Sequence, residues 1–196
     1  MTESKNQVNN ARPQAGRAFL SRFGEITSPP VNAHLIFWSL LVVGTAVDLW
    51  TKSAVFAWLR GQPNEAVSLI DGVFRLVMVE NPGAAFGMAS GRIHILVAFS
   101  VIALICIFGI FFFSPAGPKI VHVALGLFAA GVCGNLYDRI FNNGLVRDFV
   151  DVVYWPRRHW PAFNVADTML CIAVGLMVIS CILTDRSCQK HAQQHK

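Results

Sequence analysis

Two acidic residues, Asp148 and Asp167, lie on either side of an aromatic segment that leads into a long apolar run. Two carboxyl groups that come close together cannot both ionise easily, so one of them keeps its proton. The ionised group can then accept a proton from water while the protonated group donates a hydrogen bond to a carbonyl oxygen, which is the chemistry of aspartic peptide hydrolysis. The two residues therefore predict an acid/base site if the fold brings them together.

Each acid also has a purely structural interpretation. Asp167 follows Asn164, a residue that can cap the start of a helix, and an acidic side chain in a first helical turn is stabilised by the helix dipole. Asp148 is equally consistent with a solvated loop acid. We favour the acid/base site because Asn135, Arg139 and Asn164 are predicted to converge on the same place.

Further polar residues interrupt the apolar runs. An ionisable side chain inside a membrane span costs about 2.5–3.5 kcal/mol, so it requires a partner or a function. Asp48 and Lys52 are four positions apart on one helical face, which indicates either a self-neutralising pair or a part of the site. Gly131, Asn135 and Arg139 follow at intervals of four and form a polar stripe. Arg139 alone is consistent with an interface anchor, but an Asn in the same stripe favours a site.

The elements that position these residues are predicted from the apolar runs. Of the 196 residues, 54% are hydrophobic and 14% are charged, whereas a soluble domain is usually about 25% charged. A helix needs roughly 20 apolar residues to cross the hydrocarbon core. We therefore predict an all-α membrane protein with four transmembrane helices and a small β-like segment, at residues 73–79, between helices 1 and 2. The predicted helices lie at residues 34–59, 93–113, 120–140 and 166–184.

The connections between the spans predict one polar end. The short connection between helices 2 and 3 places both termini on one side of the membrane and the loops at about 60–92 and 141–165 on the other. The candidate site residues gather on the long-loop side. The positive-inside rule gives no orientation, because eight Lys and Arg residues fall on each side. If Lys52 and Arg139 are left out as parts of the site, slightly more Lys and Arg residues lie on the side of the termini. This favours cytoplasmic termini.

The chain is predicted to have three parts. Residues 1–33 form a flexible polar tail, residues 34–184 the membrane domain and residues 185–196 a basic tail. Basic tails beside a membrane span are typical of contact with anionic lipids. Binding of nucleic acid is the alternative, but we expect no nucleic-acid partner.

No other chemistry has a complete set of residues. The five cysteines lack the paired spacing of a zinc site. The sequence has no P-loop, no Gly-rich dinucleotide turn and no Ser-centred elbow. A transporter with a proton relay would spread its acids through the membrane depth, and a structural subunit would leave the polar stripe unexplained. Both remain alternatives to a hydrolase.

Five short motifs occur in order among the four predicted spans. They are "DLWTK" at 48–52, "ENPGAAFG" at 80–87, "GNLYDR" at 134–139, "VRDFVD" at 146–151 and "FNVAD" at 163–167. In this order they resemble the lipoprotein signal peptidases, or signal peptidase II, of bacterial inner membranes, over about residues 34–184. The resemblance implies a four-helix membrane aspartic endopeptidase that needs no metal or cofactor. It also implies removal of signal peptides from prolipoproteins, by a cut just before a diacylglyceryl-modified cysteine.

The resemblance also implies roles for individual residues. The two catalytic aspartates of the family fall on Asp148 and Asp167. Asp138 and Asp151 match family positions too, but we assign them no catalytic part. Lys52 joins the supporting set as the predicted partner of Asp48. The residues expected to line or support the site are Asp48, Lys52, Asn81, Gly83, Gly131, Asn135, Arg139, Asn164 and Ala166.

The resemblance supplies an orientation and partners as well. It implies cytoplasmic termini, and an extracytoplasmic β-like segment and active site at the outer leaflet of the inner membrane. The expected partners are prolipoproteins that carry a diacylglyceryl-cysteine, together with membrane lipids. We expect the protein to be a monomer.

Overall fold

Four long helices form the membrane-spanning part of the protein. The computed structural model describes residues 29–83, 92–113, 118–155 and 158–194. Within these ranges the long helices are α1 (Val31–Leu59), α2 (Ile93–Phe113), α3 (Lys119–Phe141) and α4 (Val165–Gln194). By length and composition each is able to cross a membrane, α4 through its part Val165–Thr184. The prediction of four transmembrane helices is confirmed.

The predicted tails are only partly covered by the described residues. Residues 1–28 of the N-terminal tail lie outside them, and α1 begins at Val31. At the other end α4 continues as a helix to Gln194. Most of the predicted basic tail is therefore a helical extension of the last span.

Helix α3 packs against both α1 and α4. Its small residues Ala124, Ala129 and Ala130 are fully buried. In lipid no hydrophobic effect draws helices together, so small residues that allow close approach provide much of the association. At Gly126 a Cβ atom would lie 3.1 Å from the backbone oxygen of Phe37. The backbones of α1 and α3 are therefore too close for any larger residue at this position without a shift.

A four-stranded antiparallel sheet, as far as the chain is described, joins the two long connections. Its strands are β1 (Ala66–Ile70), β2 (Phe74–Asn81), β3 (Val146–Trp155) and β4 (Arg158–His159), in the order β1-β2-β3-β4. The β segment predicted between the first two spans is confirmed. The connection at 141–165 also contains strands, β3 and β4, which the sequence did not predict. Two of the buried positions of β3 are aspartates, so the apolar alternation that normally reveals a strand is hidden.

The pairing of β3 on both sides positions the polar residues. On one side Val79 of β2 lies opposite Asp148 of β3. On the other side Phe163 bridges to Val150, and the Phe163 backbone N–H donates to the Val150 carbonyl over 3.0 Å. The chain enters α4 directly after Phe163. The start of α4 is therefore held beside the strand that carries Asp148.

Candidate active site

A cavity of about 540 Å³ lies where β2, β3 and the start of α4 meet. Asp148, on β3, and Asp167, in the first turn of α4, both line this cavity. Asp148 is buried and Asp167 is half-buried. The fold thus brings together the two acids that the sequence analysis singled out. Four of the predicted supporting residues also line this cavity: Asn81, Gly83, Asn135 and Arg139.

Asp148 is held by two amide side chains. Asn164 Nδ2 donates to its Oδ1 over 2.6 Å, and Asn81 Nδ2 donates to its Oδ2 over 3.0 Å. Burial raises the pKa of Asp148 to about 7, and the neighbouring charge of Asp167 adds to the rise, while the hydrogen bonds from Asn81 and Asn164 oppose it. Asp148 is therefore a carboxyl group that can carry a proton near neutral pH.

Asp167 takes part in a reciprocal cap at the start of α4. Its backbone N–H donates to Asn164 Oδ1 over 3.0 Å, and its Oδ2 accepts from the Asn164 backbone N–H over 3.2 Å. This is the arrangement of a capping box. Asn135 Nδ2 donates to the remaining oxygen, Oδ1, over 2.8 Å. The Asp167 carboxylate thus lies at the helix N-terminus and accepts hydrogen bonds from two N–H donors. Asn164 therefore caps α4 as expected, and Asp167 lines the cavity although it also belongs to this cap.

Two amide side chains connect the carboxyl groups to each other. Asn135 donates to Asp167, and Asn164 donates to Asp148. Asn164 Nδ2 also donates to Asn135 Oδ1 over 3.2 Å. The two acids are therefore oriented by one continuous hydrogen-bond network rather than by separate contacts.

Asp48 and Lys52 support this network from within the protein. Both side chains are 0% exposed, and Lys52 Nζ lies 2.8 Å from Asp48 Oδ2. The ion pair predicted from their spacing is present. Asp48 Oδ1 also accepts from the Ala166 backbone N–H over 2.8 Å, which ties α1 to the first turn of α4. Lys52 Nζ donates to Asn135 Oδ1 over 3.0 Å.

Asp138 has a larger structural part than the sequence analysis assigned. It is fully buried, and its Oδ1 accepts from Arg147 Nη2 over 2.6 Å. Its Oδ2 accepts from the Arg147 backbone N–H over 3.0 Å and lies 3.4 Å from Lys52 Nζ. Asp138 therefore anchors β3 at the residue that precedes Asp148. The position of Asp138 beside the polar stripe was visible in the sequence, but its partner Arg147 was not.

Arg139 connects α3 to the end of β2. Its Nη2 donates to the Gly83 carbonyl over 3.2 Å. The Gly83 backbone N–H in turn donates to Asn81 Oδ1 over 2.9 Å, which leaves Asn81 Nδ2 directed at Asp148. Arg139 therefore belongs to the wall of the cavity rather than serving as a simple interface anchor.

Gly131 and Ala166 contribute by allowing α3 and α4 to approach closely. A Cβ at Gly131 would lie 2.7 Å from the Ala166 carbonyl oxygen. One turn further along α3, a Cβ at Gly134 would collide with the Asp48 carboxylate. Gly134 was not among the predicted site residues, although the three-residue spacing of the two glycines places both on nearly the same helical face.

Asp151 lies on β3 but has different partners. Arg75 Nε donates to its Oδ2 over 2.9 Å, and His159 Nδ1 lies 3.0 Å from its Oδ1. These contacts join β2, β3 and β4 beyond the cavity. In the described part of the chain, no group of three or more His, Cys, Asp or Glu side chains is placed to hold a metal ion.

Most of this chain is similar in sequence to known proteins. The family model described as Signal peptidase (SPase) II matches residues 40–183. The lipoprotein signal peptidase of Sulfurihydrogenibium sp. is 41% identical over 150 residues, which cover 74% of this chain and 89% of the relative. That of Halalkalibacterium halodurans is 34% identical over 159 residues, which cover 80% and 97%. That of Rhodopirellula baltica is 34% identical over 163 residues, which cover 76% and 73%.

A solved structure extends the comparison to three dimensions. A bacterial membrane enzyme determined by the in meso method at 2.3 Å resolution superposes with a TM-score of 0.65 at 28% identity, over 80% of this chain and 90% of that chain. The fold, the membrane helices and the sequence match lead to one assignment. The chain belongs to the signal peptidase II family of bacterial multi-pass membrane proteases.

Proposed function

We propose that the protein is an aspartic endopeptidase that removes signal peptides from diacylglyceryl-modified prolipoproteins by cutting before the lipidated cysteine. The observation that carries the mechanism is that Asp148 and Asp167 line one cavity and are joined through Asn135 and Asn164. The match to relatives that bear the name lipoprotein signal peptidase supports the substrate class.

The different surroundings of the two acids favour one as the general acid and the other as the general base. Burial and the Asp167 charge raise the pKa of Asp148 to about 7, so Asp148 is the acid that holds the shared proton. Asp167, at a helix N-terminus with two N–H donors, is the base. Asp167 takes a proton from water as the water oxygen attacks the carbonyl carbon, and Asp148 gives its proton to the carbonyl oxygen. The resulting diol collapses when Asp167 gives its proton to the amine nitrogen and the C–N bond breaks. Asp148 takes a proton from one diol hydroxyl as the C=O bond of the new carboxylic acid forms, so both acids return to their starting states.

The cavity has an apolar side that fits a lipid-bearing substrate. Val146, Phe163 and Leu170 line it together with the polar residues. Leu170 lies on α4 within the part that can cross a membrane, so the cavity extends from the acids toward the lipid. A peptide bond must be held extended in the polar part, because a helical signal peptide protects its backbone. An acyl chain can then lie along α4.

The proposed orientation has cytoplasmic termini and the cavity at the outer leaflet of the inner membrane. Support comes from the Lys and Arg residues on the cavity side. Lys52 and Arg147 are bound to buried carboxylates, and Arg139 is bound to backbone carbonyls. These charges belong to the site and do not count as free positive charge of a loop, so the remaining excess lies on the side of the termini. We propose that the enzyme acts as a monomer in contact with membrane lipids.

The substrate claim is tested with two matched precursors of one sequence, with and without the diacylglyceryl group on the cysteine. Burial of only about four methylenes, at about 0.8 kcal/mol each, corresponds to about 10²-fold in binding. We therefore expect kcat/KM of the purified protein to be at least about 10²-fold higher for the lipidated precursor. Equal cleavage of both precursors would contradict the substrate claim and leave the two-aspartate mechanism standing.

The raised pKa of Asp148 predicts a pH dependence of cleavage. The productive form carries its proton on Asp148, so this form is present below pH 7 and is lost as the pH rises through about 7. We expect kcat/KM, which reports the free enzyme, to fall tenfold per pH unit on the alkaline side. The decrease is measured as kcat/KM between pH 5 and 9, at substrate concentrations well below KM. We call the decreasing part of this profile its alkaline limb. Activity that still rises above pH 8 would argue against Asp148 as the acid.

A further inference from the structure

Lys52 occupies an unusual place for a charged side chain. It is 0% exposed, and its ammonium group lies 2.8 Å from Asp48 Oδ2 and 3.4 Å from Asp138 Oδ2. Its third contact is the hydrogen bond of 3.0 Å to Asn135 Oδ1. Because Lys52 is fully buried, it cannot contact a substrate itself. Asn135, which lines the cavity, is the neighbour that reaches a candidate catalytic acid.

The contact with Lys52 determines which way the Asn135 amide points. Asn135 Oδ1 accepts from both Lys52 Nζ and Asn164 Nδ2. An ammonium group has donors only, so rotating the amide by half a turn would set its NH₂ against two other donors. The rotation would also set the amide oxygen against the Asp167 carboxylate. The amide therefore presents Nδ2 to Asp167 Oδ1, at 2.8 Å.

We propose that Lys52 is a positioning residue for peptide cleavage, which orients the Asn135 amide so that its N–H holds the Asp167 carboxylate. The proposal rests on the two-aspartate function proposed above. Asn164 is affected too, because its Nδ2 is shared between Asn135 Oδ1 and Asp148 Oδ1. Through Asn135 Oδ1, the ammonium group is therefore also linked to the amide that donates to Asp148.

A simpler role for Lys52 would be to neutralise buried acids. The ion cluster contains two carboxylates, Asp48 and Asp138, and two cations, Lys52 and Arg147, so its formal charge is balanced. A variant that removes one charge of each sign keeps this balance. Asp48→Asn combined with Lys52→Met does so. The introduced amide still offers an oxygen to the Ala166 N–H, and Met has the length of Lys without its donor. This double variant separates neutralisation from orientation.

We expect the double variant to fold, with kcat lowered by about 10²-fold and KM nearly unchanged, as is typical when a supporting hydrogen bond is removed from a site. The alkaline limb of the pH profile should also move to higher pH. Burial and the Asp167 charge raise the pKa of Asp148 and the Lys52 charge lowers it, so loss of Lys52 lets that pKa rise further. A purely structural role would leave kcat at constant KM unchanged, whereas the shift of the limb follows from the lost charge of Lys52 itself.

A mutant cycle with Asn135→Ala tests whether Lys52 acts through Asn135. If it does, the effects of Asn135→Ala and of the double variant on kcat are not additive, and the triple variant is close to Asn135→Ala alone. Additive losses would overturn the proposal. It would also be overturned if Asp48→Asn/Lys52→Met kept wild-type kcat or failed to fold.

Wild-type protein and Asp167→Asn belong in the same assay. If wild-type protein does not cleave the precursor, or Asp167→Asn remains active, the proposed function itself fails. If both behave as expected and only the double variant is normal, the Lys52 proposal alone is wrong. The two failures are therefore distinguishable.

Discussion

Replacement of Asp148 or Asp167 by Asn is expected to lower the turnover of a lipidated prolipoprotein by at least about 10³-fold while the protein still folds. Asn has the shape of Asp but can neither take the proton of water nor carry one to the carbonyl oxygen. The strong hydrogen bond from Asn164 to residue 148, 2.6 Å in the wild type, can be kept by the Asn oxygen. Single-turnover cleavage in detergent or lipid, with thermal unfolding measured alongside, separates lost chemistry from lost fold.

Asp151→Asn is the matched control for the Asp148 variant. Asp151 lies on the same strand and is also buried, so its replacement likewise changes a buried carboxyl group of β3 to an amide. Its partners, Arg75 and His159, lie beyond the cavity. We expect turnover of this control to stay close to that of wild type. Full activity of Asp148→Asn or Asp167→Asn, or an equal loss in Asp151→Asn, would contradict the two-aspartate mechanism.

The four helices, the Asp48–Lys52 pair and the gathering of the acids at one end of the bundle can be predicted from the sequence. They depend on local spacing and on the number of spans. Apolar runs of the length of a bilayer predict spans regardless of the rest of the chain. The four-residue interval predicts that Asp48 and Lys52 meet, and they do, at 2.8 Å. The short second connection predicts that the acids gather at one end. In each case the prediction needs only residues that are close along the chain, or the number of spans between two segments.

The rest of the site depends on contacts between distant segments, which spacing cannot predict. Lys52 and Asn135 are on different helices, and nothing in either segment indicates that their side chains meet. The pairing of β2 with β3 joins the two long connections across two spans. Arg147 likewise gives no sign in the sequence that Asp138 is its partner. These contacts depend on how closely α1, α3 and α4 pack, and that closeness depends on glycines whose role becomes visible only in three dimensions.

The buried ion cluster is better explained by orientation than by stability. Replacing a buried ion pair by apolar residues of similar size is often neutral or stabilising, whereas removing one partner alone is strongly destabilising. A cluster kept for stability would thus be easy to replace. Here three members each make a second contact that positions another group. Asp48 holds the Ala166 N–H, Lys52 holds Asn135, and Asp138 holds the β3 backbone.

Asp138→Ala is therefore expected to lower the free energy of unfolding by about 3–5 kcal/mol, since it leaves Arg147 without its carboxylate and gives the cluster an unbalanced positive charge. It should also reduce turnover, because the Arg147 backbone N–H that adjoins Asp148 loses its acceptor. Thermal and denaturant unfolding in one detergent measure the first effect. Asp71→Ala, in an exposed turn, is the control and should change stability by less than about 0.5 kcal/mol. Equal stability of the two variants would mean that the cluster relaxes around the loss, and that Asp138 does not hold β3 in place.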